Sequence, residues 1–214
     1  MNEKFKEIRF ALQTLEHKTG YYSYWEQLIN NLESRYRMNY QKSNRDRDMA
    51  KGVEYLADIE FPDKKIILWA ATIHLLGDKK DIASISKQQK QGTGYYLKNK
   101  YKETYYHLAF IPASGTVGLK GYLGIGKKNA KAVKGSIEKY IRDNTKQDYA
   151  FMSMKSLVSQ DIIKENNINK SLLIGTTQNR VNVANVVDGY FYMKEEYIPQ
   201  FSIRRKLWEE SRKE

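Results

Sequence analysis

Near the N-terminus Ile8, Phe10 and Leu12 alternate with Arg9, Ala11 and Gln13, a period of two that predicts a strand over residues 6–15. Trp25, Leu28, Ile29, Leu32 and Tyr36 then recur at helical spacing and predict an amphipathic helix over 24–42. The polar, charge-alternating run Ser43-Asn44-Arg45-Asp46-Arg47-Asp48 interrupts this pattern and predicts an exposed loop. Two strand-like runs, 53–60 and 65–76, flank Phe61-Pro62-Asp63-Lys64, whose turn chemistry predicts a hairpin. Ile66, Ile67, Leu68 and Trp69 form a β-favouring run expected to enter the core.

Residues 79–94 are polar and predict irregular chain, with Gly92-Thr93-Gly94 as a hinge. Alternation resumes over 105–112, and Ser114-Gly115 signals a turn into a return strand over 116–123, a second hairpin. Ala130, Val133, Ile137, Tyr140 and Ile141 predict a helix over 127–143. A short helix at 157–166, a strand at 170–177, an apolar segment of ambiguous type at 181–187, a strand at 190–193 and a terminal helix at 203–212 complete the reading. Strand pairs dominate over βαβ units. The expected class is α+β, a mainly antiparallel sheet built from hairpins with flanking helices. A hairpin-rich core with a basic segment is expected over 1–146, and a C-terminal α/β extension over 147–214.

Composition narrows the chemistry. There are no cysteines, which excludes disulfides, thiolate catalysis and Cys-ligated zinc and fits a reducing cytoplasm. No apolar stretch is long enough to span a bilayer, and residues 1–10 lack a secretory apolar core. The net charge is +12, and it is concentrated: residues 79–146 carry 15 Lys or Arg against 4 acids, while the rest holds 22 against 21. Such a concentrated field points to a polyanionic partner.

Four groups of residues are candidates for function. Gly121-Tyr-Leu-Gly-Ile-Gly126-Lys127-Lys128 nearly matches a P-loop, but Lys128 offers no hydroxyl for Mg²⁺. Read more simply, it is a glycine-rich approach to an anion-binding helix N-terminus, with Lys127, Lys128, Lys131 and Lys134 adding charge. Tyr95 to Tyr106 interleaves tyrosines with Lys98, Lys100 and Lys102, a pattern suited to a nucleic-acid groove and equally to a lysine-blunted edge strand. Asp58, Glu60, Asp63 and Lys65 loosely suit a metal-dependent nuclease. His17, His74 and His107 share no ligand spacing, so structural roles are expected for His74 and His107. Arg204-Arg205-Lys206 is diluted by Glu209, Glu210 and Glu214.

Between 53 and 141 the order of pieces resembles the RexA-like phage exclusion family. The pieces are Val53-Glu-Tyr-Leu-Ala-Asp-Ile59, Pro62-Asp-Lys-Lys65, Ile66-Ile-Leu-Trp69, His107-Leu-Ala-Phe-Ile-Pro112, Gly115-Thr-Val-Gly118 and Gly124-Ile-Gly126. The resemblance implies an intracellular sensor that binds duplex DNA with little sequence preference. It also implies a homodimer and a membrane-protein partner. The combined expectation is a sequence-tolerant nucleic-acid-binding protein, duplex DNA favoured, leaning against enzymatic activity. Lys98, Lys100, Tyr101, Lys102, Lys127, Lys128, Lys131, Lys134 and Arg142 would form the interface. No catalytic residue, metal or cofactor is expected. The rival expectations are a metal-dependent nuclease or defence effector, and a charged protein–protein adaptor or inhibitor.

Overall fold

A computed structural model describes residues 2–14, 22–41, 44–80, 82–83, 91–120, 125–174 and 178–196. These form two compact units. The first comprises residues 1–78 and 88–105, and the second 79–87 and 106–214.

The first unit is helical. The expected strand at 6–15 is instead helix α1, Asn2–Thr14. Its inward stripe is Phe5, Arg9 and Leu12, spaced by four and three, whereas Ile8 and Phe10 are exposed. Arg9 is held against α2 (Tyr22–Tyr40) by Glu33 at 2.8 Å and Asn30 at 2.6 Å. A charged residue at the centre of the half-buried stripe disguises the helical period. Pairs three apart, Lys4 with Glu7 and Lys6 with Glu3, support the same helix.

Helix α3, Arg45–Tyr55, replaces both the expected loop and the first hairpin strand. The polar run is a helix start. Asn44 caps it by accepting from the Arg47 N–H, and Asp46 and Asp48 meet the positive end of the dipole. The helix runs on into a π-helical turn, Leu56–Glu60. No hairpin follows: residues 65–70 have no regular secondary structure, and among the described residues no strand pairs with them. Ile67 and Trp69 are exposed, so this run does not enter the core as its apolarity suggests. The unit closes with α4, Thr72–Leu75, and α5, Thr93–Tyr101, around Ile29, Ala50, Leu75, Leu76 and Leu97.

The second unit is built on a three-stranded sheet whose middle strand is the last in sequence. Strand β1 (Leu108–Pro112) pairs in parallel with β7 (Gly189–Met193), and β4 (Tyr149–Ser153) pairs antiparallel to β7. The expected hairpin over 105–123 is absent. Strand β2 (Ser114–Lys120) pairs not with β1 but with β3 (Ile125–Lys131). A two-stranded ribbon joins β5 (Lys170–Ser171) to β6 (Asn179–Arg180). A mainly antiparallel sheet assembled from hairpins is therefore not this fold; the sheets are small, the central one holds a parallel pair, and helices dominate.

One sheet face carries Ala109, Ile111, Tyr190 and Tyr192 into a core with Ile137 and Ile141 of α6 (Ile137–Asn144). Met154 and Leu157 of α7 (Met154–Ser159) are buried, as are Val183 and Val186 of α9 (Val183–Val186); α8 (Ile162–Glu165) lies between these helices in the chain. Helix α6 starts ten residues later than the periodicity predicts. Gly135 at φ +79 turns the chain, and the Ser136 hydroxyl caps the helix by accepting from the Lys139 N–H. The expected helix at 203–212, the Arg204-Arg205-Lys206 cluster, His17 and Gly121 to Gly124 lie outside the described residues.

Candidate functional site

Three chain segments meet at the N-terminal ends of α3 and α5 in the first unit. Asp46 occupies the first turn of α3, positioned by the Asn44 cap. Asn44 is itself tied to α5, its amide donating to Tyr96 at 3.1 Å. Thr93, the first residue of α5, is fully buried, and its hydroxyl lies 3.1 Å from the Asp46 carbonyl and 3.3 Å from Asp46 Oδ1. His74, on the short helix α4, brings Nδ1 to 2.7 Å from that same Oδ1. An ionised carboxylate can only accept, so a neutral ring in this contact would carry its hydrogen on Nδ1 and keep its lone pair on Nε2. The Asp46 side chain is 17% exposed and that of His74 31%, so the orienting group is sheltered while the ring keeps access to solvent.

Gly94 makes this approach possible. A Cβ there would fall 1.9 Å from the Leu75 carbonyl oxygen and 2.2 Å from its carbon, both backbone atoms of α4. The Tyr105 hydroxyl donates to that same carbonyl. The Gly92-Thr93-Gly94 string is thus a close-packing contact, not a hinge. Gly94→Ala should push α5 from α4 at a cost of about 1–3 kcal/mol and separate Asp46 from His74. Thermal melting and activity of this variant check both effects.

The second polar cluster of this unit involves expected interface residues, and carboxylates occupy them. Lys100 is held by Asp58 Oδ2 and by Glu54 at 3.1 Å, while Tyr101 donates to Asp58 Oδ1 at 2.7 Å. The ammonium holds the Asp58 carboxyl below its ordinary range, and the same bond raises Lys100. Burial and then the Asp58 bond push the Tyr101 phenol up to about 12. Asp58, Glu54 and Lys100 line a groove of about 270 Å³.

The remaining expected contacts fall in both units. Lys98 lays its stem over Gly77, and Lys102 is an exposed residue at φ +49 ending α5. Lys127 and Lys128 lie on strand β3, not at a helix N-terminus, which removes both the P-loop and the helix-dipole readings; their side chains fall outside the described residues. Lys131 and Lys134 are exposed, and Arg142 stands 3.4 Å from Asp143. The nuclease constellation does not assemble either. Both Asp58 oxygens are engaged, Glu60 accepts from Tyr55, and among the described residues no three His, Asp or Glu side chains cluster as metal ligands. No described helix is long and apolar enough to cross a membrane.

The His74 ring is thus held by a sheltered carboxylate through Nδ1, and among the described residues no hydrogen bond to its Nε2 is found. The erythromycin esterase family profile matches residues 3–195, and the chain belongs to that family. This replaces the phage-exclusion resemblance and the DNA-binding expectation that followed from it. Solved structures agree on the fold. A protein from Bacillus cereus aligns with 90% of this chain and 50% of its own at 14% identity and TM-score 0.65. A succinoglycan biosynthesis protein aligns over 91% and 56% at 16% identity and TM-score 0.53. An erythromycin esterase mutant in its open conformation aligns over 78% and 42% at 20% identity and TM-score 0.52. The chain therefore spans about half the length of these relatives. No curated protein matches it.

His74 was within reach of sequence reasoning only as an isolated histidine; Asp46 lies 28 residues away, and no local spacing joins them. The usable signal was the Asn44-Arg-Asp46-Arg-Asp48 string, whose capping chemistry puts Asp46 at a helix start.

Proposed function

We propose that this protein hydrolyses an ester bond, with His74 as general base and Asp46 as the residue that positions it. The 2.7 Å contact between His74 Nδ1 and Asp46 Oδ1 carries this reading. Membership of the erythromycin esterase family supports the reaction class, and a macrolide lactone is the first substrate to try. In the reaction, His74 Nε2 takes a proton from water as the water oxygen bonds to the acyl carbon. The tetrahedral species then expels the alkoxide, the acyl C–O bond breaks, and the imidazolium returns its proton to the leaving oxygen. A free acid and a free alcohol result. Asp46 stays ionised, holds the ring in the productive tautomer and stabilises the transient imidazolium. Thr93 keeps the carboxylate in place.

The test is incubation of the full chain with a macrolide lactone and, separately, with a p-nitrophenyl ester. Mass spectrometry should detect a lactone product heavier by one water, with the p-nitrophenyl ester turned over at the same site. Absence of turnover on both substrates by the folded protein would overturn the proposal.

A further inference from the structure

We propose that the second unit carries a binding site for a small organic oxyanion, a phosphate monoester in chemical class, held by Lys134, Lys170 and Arg180. This site is independent of the esterase reading. The three cations line one concavity of about 300 Å³ together with Asn166, Asn167 and Asn169, and among the described residues no carboxylate contributes to its wall.

The way the cations are brought together argues for a ligand. Lys170 and Arg180 are direct partners in the antiparallel register of β5 and β6, so two positive side chains stand opposite each other on one face. Like charges in that position repel. Lys134 is drawn into the same place. The main-chain N–H groups of Asn169 and Lys170 both donate to the Gly135 carbonyl, at 3.0 and 3.1 Å. The Lys170 ammonium reaches the Lys134 carbonyl at 3.4 Å.

Several other cations of the protein meet acids: Lys100 meets Glu54 and Asp58, Lys139 meets Asp143, and Lys194 meets Asp148. Among the described residues none of Lys134, Lys170 and Arg180 forms an ion pair. An oxyanion seated among them would take charge-assisted hydrogen bonds from guanidinium and ammonium, with the asparagine amides as neutral donors. It would also turn the cross-strand repulsion into two attractions to a common centre.

A second hollow, of about 540 Å³, shares Asn169 and Arg180 and is bounded by Ala83, Ile168 and Val181. Adjoining the first concavity through Asn169 and Arg180, it offers room for a carbon body attached to the anion, which favours an organic phosphate over the free ion.

Isothermal titration and thermal melting of the full chain with inorganic phosphate and with phenyl phosphate test this, against sodium chloride at equal ionic strength. Both phosphates should bind and raise the melting temperature beyond chloride, phenyl phosphate more strongly. The Lys170→Gln, Arg180→Gln double variant relieves the cross-strand repulsion. It should melt no lower than wild type without ligand, yet lose roughly tenfold or more in phosphate affinity. Lys194→Gln should bind as wild type. Equal affinity for the two phosphates would remove the apolar hollow from the site. No effect beyond chloride, or full binding by the double variant, would overturn the site itself.

Discussion

His74→Ala should lower kcat/KM for ester hydrolysis about 10²- to 10⁴-fold, the range for loss of a positioned proton-transfer group. His74 lies on α4 with its side chain partly exposed, and the residue's main-chain N–H bond to Ala71 survives the substitution, so folding should be little affected. Asp46→Asn should bring a comparable fall. The amide can donate to Nδ1, which favours the tautomer with its hydrogen on Nε2 and blocks the base. Asp46→Glu, which keeps the acceptor, should recover part of the activity. Parallel melting curves separate catalysis from unfolding. A merely structural role for the pair would lower stability and activity together, whereas a base role lowers kcat with the fold intact.

The largest stability effect should come from Glu138. It lies in the first turn of α6 and is completely buried. One oxygen accepts from the Ser171 hydroxyl and the Leu172 N–H, both at 2.6 Å; the other meets no partner among the described residues. Glu138→Ala strands both donors and opens a cavity, so a loss of about 3 kcal/mol or more is expected. Burial raises the Glu138 pKa, opposed by its hydrogen bonds. A carboxyl raised on folding supports the native state fully below its unfolded value of about 4.3. That support is lost as pH rises through the higher folded value. Urea melts should therefore show a falling contribution with rising pH that Glu138→Gln removes. Asp58 and Asp143, lowered by Lys100 and by Lys139, act in the opposite direction, and both are present in both proteins, so the comparison isolates Glu138. A wild-type pH profile superimposable on that of Glu138→Gln would contradict this account.

The sequence carried some of this and concealed the rest for identifiable reasons. Helix α2 stands out because its apolar residues recur without interruption, and β7 because Tyr190 to Met193 is a short aromatic, β-favouring run. Helix α1 was masked by Arg9 at an inward position, a residue that satisfies its charge through Glu33. The 65–70 run has every local mark of a strand but no strand partner among the described residues, and period-two reasoning cannot supply one. The parallel pairing of β1 with β7 joins segments some eighty residues apart, beyond any local pattern. The surplus of lysines was legible, but its meaning was not: Lys100 pairs with two acids, while Lys170 and Arg180 face each other because of a register invisible in composition.

The central claim is that Asp46 fixes the His74 ring for base chemistry, and ¹⁵N NMR of the imidazole tests it most directly. In the wild-type protein the neutral ring should carry its hydrogen on Nδ1, and in Asp46→Asn it should carry it on Nε2. An Nε2-protonated neutral ring in the wild type, or one tautomer mixture common to both proteins, would contradict it.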